Sequence, residues 1–98
     1  MKRNVFITGA SSGIGKAMVY SFGKNGDNLI LCARRQEKLQ EIKKDIESNH
    51  NVRVDIYELD VTKYEKVTDT VKEIIKNSGK IDILINNAGL ALGLEKSL

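Results

Sequence analysis

The stretch Thr8–Gly15, with the sequence TGASSGIG, decides the fold of this 98-residue chain. A short apolar run precedes it and an amphipathic run follows it, so the local order predicted is strand, glycine turn and helix. We expect Gly9 to turn the chain off the strand, Gly13 to admit a ligand to the main chain, and Gly15 to let the helix pack closely.

The predicted turn is suited to a phosphate. The first turn of a helix directs unpaired N–H groups and a positive dipole end toward the preceding turn, and the hydroxyls of Ser11 and Ser12 add donors. A pyrophosphate fits such a place. The alternative is an ordinary glycine-rich connection. The predicted cofactor-binding residues in this stretch are Gly9, Ser11, Ser12, Gly13, Ile14 and Gly15.

The composition indicates a folded domain without nucleic-acid or membrane partners. The chain is 41% hydrophobic and 30% charged, with a net charge of +3, and its lysines alternate with acids. It lacks an apolar run long enough to cross a bilayer and an apolar leader, so the cytoplasm is expected. The single cysteine, Cys32, is predicted to be a buried hydrophobe, His50 a solvated loop residue, and no cluster suggests a metal site.

Hydrophobic periodicity predicts the order βαβαβαβ. The predicted strands lie at residues 4–8, 29–33, 52–59 and 81–85, with the third nearer a sheet edge. Their connections are too long for hairpins, so we expect an α/β fold: a Rossmann-type parallel sheet, truncated after the fourth strand. The predicted inward faces are Ile14, Ala17, Met18 and Phe22 in the first helix, Leu39, Ile42 and Ile46 in the second, and Val67, Val71, Ile74 and Ile75 in the third. A capping box of Thr62 and Glu65 is predicted to open the third helix, which stops near Gly79.

The end of the second strand favours NADP over NAD. An acid at this point of a dinucleotide-binding unit selects NAD by binding the ribose 2′-hydroxyl. Here the sequence has Arg34 and Arg35 and no acid. A guanidinium can pair with a 2′-phosphate through two hydrogen bonds. The alternative for either arginine is that it only points into water.

Two motifs together resemble the short-chain dehydrogenase/reductase family: the Thr-Gly-x-x-x-Gly-x-Gly spacing and Asn86–Gly89 (NNAG) after the fourth apolar run. The resemblance implies that Asp60 accepts from the adenine amino group and that Val61 packs on the ring. It also implies that the second motif touches the cofactor ribose and steadies the sheet, through Asn87, Ala88 and Gly89. The alternative for Asp60 is a carboxylate at the start of a helix.

The segments 33–40 and 86–93 look similar to the NADP-dependent 3-hydroxy acid (serine-type) dehydrogenases. The resemblance implies hydride transfer between NADP and a hydroxyl or keto carbon of a small-molecule alcohol or ketone, such as a short 3-hydroxy acid. The apolar fourth strand would form an exposed sheet edge, through which we expect a homo-oligomer to form.

The catalytic residues of this family lie beyond the fourth strand, and none is recognisable here. Tyr20 and Lys24 match the Tyr-x-x-x-Lys pattern by letters, but they lie on the first helix and we interpret the match as accidental. We therefore expect residues 1–98 to form a single NADP-binding Rossmann domain, the N-terminal half of a short-chain dehydrogenase without its catalytic half. The alternatives are a non-catalytic NADP-binding module and an inert truncated fragment with an exposed fourth strand.

Overall fold

The computed structural model describes residues 2–11, 13–60 and 63–87. Strands and helices alternate along the chain, which confirms the predicted order. The elements are β1 (Asn4–Thr8), α1 (Gly13–Lys24), β2 (Asn28–Ala33), α2 (Gln36–Asn49), β3 (Val54–Glu58), α3 (Tyr64–Ser78) and β4 (Ile83–Asn86).

The strands form one parallel sheet in the order β3-β2-β1-β4. The chain adds β2 and β3 on one side of β1 and then crosses back to place β4 on the other side. This reversal makes a crevice at the carboxyl end of β1, where ligands bind in open parallel sheets. The Rossmann-type α/β fold is therefore confirmed, and β3 lies at an edge, as its alternating pattern predicts.

Helices cover both faces of the sheet. Successive strand residues point to opposite faces, and both faces are covered, so the middle residues of the two central strands, β1 and β2, are all apolar. On one face, α1 and α2 pack on the sheet through a cluster that includes Val5, Ile7, Val19, Leu29, Leu31, Leu39, Ile42, Ile46 and Val54. On the other face, α3 packs through Phe6, Ile30, Cys32, Leu59, Val67 and Ile74. The predicted inward face of α2 is confirmed.

The predicted inward face of α1 is wrong in part. Gly15, Val19 and Gly23 are the buried residues, whereas Ile14 is 71% exposed. Ala17 is also exposed, and Met18 and Phe22 are only partly buried. The reason is that α1 approaches its neighbours through glycines: a Cβ on Gly23 would lie 3.1 Å from Ile46 Cγ2. The prediction used only the spacing of apolar residues and did not count glycines, so it assigned the wrong contact face to α1.

The start of α3 also differs from the prediction. Lys63 is the N-cap residue of α3, and its own side chain makes no capping hydrogen bond. Its carbonyl accepts the hydrogen bond from the Val67 N–H at 3.1 Å, which sets the beginning of the helix. Thr62 lies outside the described residues. Ile75, predicted to face inward, is 52% exposed, while the helix ends before Gly79 as predicted.

Polar groups at the amino end of the sheet pair with one another. The Arg3 guanidinium donates to both carboxylate oxygens of Asp27, each at 3.0 Å. Asp27 is only 4% exposed, and its hydrogen bonds from Arg3 lower its pKa below the usual value. The Asn4 side chain donates to the carbonyls of Ser78 and Lys80, at 3.1 and 2.8 Å, and so holds the connection that leads to β4.

Candidate cofactor-binding site

The glycine turn lies at the carboxyl end of β1. Gly9 and Gly13 have φ of 61° and 59°, a region that side-chain-bearing residues rarely adopt. Between them the Ala10 N–H donates to the Cys32 carbonyl of β2 at 3.2 Å. The turn is therefore held against the end of the neighbouring strand.

The end of β4 holds the same turn from the other side. The Asn87 side-chain amide donates to the Gly9 carbonyl at 3.2 Å. One residue earlier, the carbonyl oxygen of the Asn86 side chain accepts from the Thr8 hydroxyl at 3.1 Å. Through these contacts the second motif joins the ends of β4 and β1, which agrees with its expected role of steadying the sheet. The buried Thr8 was not among the predicted site residues, although its place directly before the first glycine of the motif was the available signal.

The glycines of the turn differ in what surrounds them. A Cβ on Gly15 would overlap the Gly9 carbonyl oxygen and lie 2.8 Å from the Asn87 amide nitrogen. A Cβ on Gly13 would meet nothing within 4 Å. Gly15 therefore serves the close approach of α1 to the turn and to β4, whereas Gly13 faces open space.

The surroundings of the turn fit an anion with apolar parts. The first turn of the 12-residue α1 contains no acidic residue, so its positive dipole end is not neutralised by a side chain there. Ile14, at 71% exposure, presents an apolar surface beside it, and Ser11 is half-buried in the turn. A dinucleotide combines a pyrophosphate with apolar rings, so this donor set suits it.

The structure separates the two arginines that follow β2. Arg34 lines an open groove of about 430 Å³, together with Leu59 and Asp60 from the end of β3. Arg35 is the N-cap residue of α2 and is not among the residues that line this groove. Both side chains are exposed. From the sequence alone either arginine could serve the 2′-phosphate, but only Arg34 lines the same groove as Asp60.

Asp60 lies in the wall of that groove, at the start of the turn leading to α3. The adjacent Leu59 N–H donates to the Ala33 carbonyl at 2.9 Å, which brings the ends of β2 and β3 together. The Asp60 carbonyl accepts from the Lys63 N–H at 3.1 Å. Lys63 and Lys66 also line the groove, and both remain exposed. No sequence signal assigned either lysine to this site.

Four predicted cofactor-binding residues lie outside the described residues, and their contact with the cofactor stays a prediction. They are Ser12, Val61, Ala88 and Gly89.

Other reactive side chains contribute to the fold. The Tyr20 hydroxyl donates to the Asp45 carboxylate at 2.8 Å and so joins α1 to α2, in line with reading the Tyr20–Lys24 match as accidental. Burial raises the pKa of the Cys32 thiol to about 12 and suppresses its thiolate. Across residues 2–11, 13–60 and 63–87 there is no group of three potential metal ligands and no helix of a length and apolarity that could span a membrane.

Comparison with known proteins gives a family match over nearly the whole chain. The family described as short chain dehydrogenase matches residues 3–97. An NADP-dependent 3-hydroxy acid dehydrogenase from Schizosaccharomyces pombe is 43% identical over 95 residues, which are 96% of this chain and 37% of that protein. The chain therefore spans little more than a third of the length of this relative.

Solved structures agree with this match. An alcohol dehydrogenase from Thermococcus sibiricus, complexed with 5-hydroxy-NADP, has a TM-score of 0.82 and 32% identity, covering 86% of this chain and 36% of its own. L-Sorbose reductase from Gluconobacter frateurii, complexed with NADPH and L-sorbose, also has a TM-score of 0.82, with 38% identity over 90% of this chain and 34% of its own. These relatives support the prediction of NADP as the cofactor.

Proposed function

This chain belongs to the short-chain dehydrogenase family, and from that premise we propose that it binds NADP at the carboxyl end of its sheet. One observation carries the proposal: the glycine turn at the start of α1 lies beside a strand end that has Arg34 and Arg35 in place of an acid. Residues 1–98 are proposed to be one NADP-binding domain, the N-terminal half of a dehydrogenase.

The glycine turn is proposed to bind the pyrophosphate. Main-chain N–H groups of the turn and of the first turn of α1 donate to phosphate oxygens, and the helix dipole favours the negative charge. The open space at Gly13 leaves room for the ligand to approach the main chain. Ser11 and Ser12 add hydroxyl donors, and the exposed Ile14 covers an apolar part of the cofactor.

Arg34 is proposed to be the principal residue for the 2′-phosphate, because it lines the groove that also contains Asp60. Arg35 is proposed as a second, weaker cation at the start of α2. Asp60 accepts from the adenine amino group and Val61 packs on the ring. Asn87, Ala88 and Gly89 contact the ribose, while the Asn87 amide also holds the Gly9 carbonyl.

The whole protein is proposed to transfer a hydride between NADP and a hydroxyl or keto carbon of a small molecule, such as a short 3-hydroxy acid. The S. pombe relative with 43% identity supports this substrate class. NADP supplies or accepts the hydride, and residues 1–98 bind and orient it. No catalytic residue is assigned within this chain.

A homo-oligomer in the cytoplasm is proposed for the whole protein. The location is supported by the single, buried Cys32, which forms no intrachain disulfide. The oligomer is supported by the family match, because short-chain dehydrogenases often form oligomers.

Calorimetric titration of the 98-residue chain with NADPH and with NADH tests the cofactor proposal. We expect NADPH to bind more tightly, and Arg34→Ala to weaken NADPH binding by about ten- to a hundredfold, because a charge-assisted hydrogen bond contributes about 1.5–3 kcal/mol. NADH binding should hardly change. Arg35→Ala is the matched control and should have a smaller effect.

Equal losses of NADPH and NADH affinity in Arg34→Ala would contradict the assignment of the 2′-phosphate to this residue. Circular dichroism of each variant separates such a result from a loss of fold. An absence of binding by a folded chain would contradict the proposal that residues 1–98 suffice for the cofactor.

A further inference from the structure

The outer edge of the sheet is formed by β3, which pairs with β2 on one side only. The Leu29 N–H of β2 donates to the Arg53 carbonyl, and the Leu59 N–H donates to the Ala33 carbonyl, both at 2.9 Å. Odd-numbered residues along β3 therefore direct their backbone groups toward β2. The backbone N–H and carbonyl of Val54 point outward, where an edge strand can pair with another chain.

Two side chains of α2 occupy both outward groups of Val54. The Lys43 ammonium donates to the Val54 carbonyl at 2.6 Å, and the Val54 N–H donates to Glu47 Oε2 at 3.0 Å. The two side chains also pair with each other, with Lys43 Nζ 3.7 Å from Glu47 Oε2. We name this arrangement the edge clamp, consisting of Lys43, Glu47 and the Val54 backbone.

The edge clamp differs from a simple surface ion pair because its two side chains also bind backbone groups. Ion pairs one helical turn apart contribute little to stability, because both side chains remain partly in water. Here the side chains of Lys43 and Glu47 are 38% and 34% exposed, and each also satisfies one backbone group. The clamp therefore replaces the donor and the acceptor that an incoming strand would offer at this position.

We infer that the edge clamp keeps β3 from pairing with β3 of a second copy of this chain. The strand itself favours such pairing, since Val54, Ile56 and Tyr57 are residue types enriched in strands. Two identical edges related by a two-fold axis form an antiparallel ladder without any change of backbone, so a second copy is the occupant that the clamp excludes. This inference does not rest on the cofactor.

A paired set of variants tests the clamp. Lys43→Ala with Glu47→Ala removes one cation and one anion and frees both backbone groups. Glu41→Ala with Lys44→Ala is the matched control, because it makes the same charge change on exposed positions of α2, and no hydrogen bond in the described part of the chain joins their side chains to β3. Sedimentation velocity over a range of concentrations measures self-association of both proteins.

We expect the clamp variant to self-associate at least about tenfold more tightly than the control. Hydrogen exchange should then show concentration-dependent protection of the Ile56 and Glu58 amides, which share the outward direction of Val54. Lys43→Arg with Glu47→Gln keeps a donor and an acceptor, so it should restore the behaviour of the control.

The same self-association in the clamp variant and the control would overturn the inference, as would association with new protection only at β4. If the double variant does not fold, Lys43→Ala and Glu47→Ala are measured singly. Each frees one backbone group, so each should associate more than its own single control, Lys44→Ala or Glu41→Ala. Folded single variants that do not associate would overturn the inference as well.

Discussion

The two ends of the sheet differ in whether their charged side chains are paired within the protein. At the amino end, the buried Asp27 is held by Arg3, and the Asn4 side chain donates to the carbonyls that lead to β4. At the carboxyl end, Arg34 is exposed in an open groove and Ile14 is 71% exposed beside the glycine turn. The charged side chain Asp27 is paired within the protein at the amino end, whereas Arg34 is exposed to solvent at the carboxyl end.

The parallel strand order explains this difference. All four strands run the same way, so every helix that follows a strand begins at the carboxyl end and directs free N–H groups there. At the amino end the chain enters each strand, and none of the helices in the described part of the chain begins there. A buried charge at this end is paired within the protein, because its desolvation is costly. Changes at the amino end should therefore alter stability alone, and changes at the carboxyl end should alter binding.

Gly15→Ala is expected to have the largest effect, because it should change both the stability of the protein and its binding of NADPH. The new Cβ overlaps the Gly9 carbonyl oxygen, and this backbone atom cannot move without displacing the turn. We expect a loss of about 1–3 kcal/mol in the free energy of unfolding, typical of overpacking, together with loss of NADPH binding. Urea denaturation and calorimetry measure the two effects. Lys16→Ala, at the next and exposed position, should change neither, and an unchanged Gly15→Ala protein would contradict the described packing.

Asp27→Asn should lower stability without touching the site. It removes the carboxylate that accepts two hydrogen bonds from Arg3, and bonds to charged groups contribute about 1.5–3 kcal/mol. The loss should lie near the lower figure, because the Arg3 side chain is 49% exposed and is solvated when released. Chemical denaturation measures the loss, with Glu41→Gln on α2 as an exposed control. A large change in NADPH affinity would show that the two ends are coupled.

The same pair predicts a dependence of stability on acid pH. The Arg3 guanidinium lowers the pKa of Asp27 in the folded state below its ordinary value of 3.8. The stability from this pair is therefore fully present above about pH 5 and is lost as the pH falls through the lowered pKa. The difference in unfolding free energy between the wild type and Asp27→Asn should shrink between about pH 5 and pH 2. A difference that stays constant over this range would contradict the pairing.

The smallest expected effect on stability is that of Asn87→Ala. Its amide donates one exposed hydrogen bond, at 3.2 Å, to the Gly9 carbonyl. We expect a loss of about 0.5–1.5 kcal/mol, the range for a single neutral hydrogen bond. A thermal shift measured with and without NADPH separates this loss from a loss of binding. Asn77→Ala, on the exposed side of α3, is the control, and a larger loss of stability there than at Asn87 would argue against the bridge.

The sequence by itself determined the order of the elements, because strand and helix periodicities are local. Leu39, Ile42 and Ile46 recur at helical spacing, and this alone identified the buried face of α2. The glycine turn was also local, since its sequence lies between a strand and a helix. The preference for NADP was local too, because it depends only on the absence of an acid directly after β2.

Only the tertiary structure decided which of several similar residues face one another. Arg34 and Arg35 are neighbours in sequence, but the approach of β3 to β2 places only Arg34 in the groove with Asp60. The buried face of α1 depends on close approach at Gly15, and the pairing of Arg3 with Asp27 joins residues 24 positions apart. Such contacts depend on distances between elements, and these distances follow from how the helices pack on the sheet rather than from the local pattern of residues.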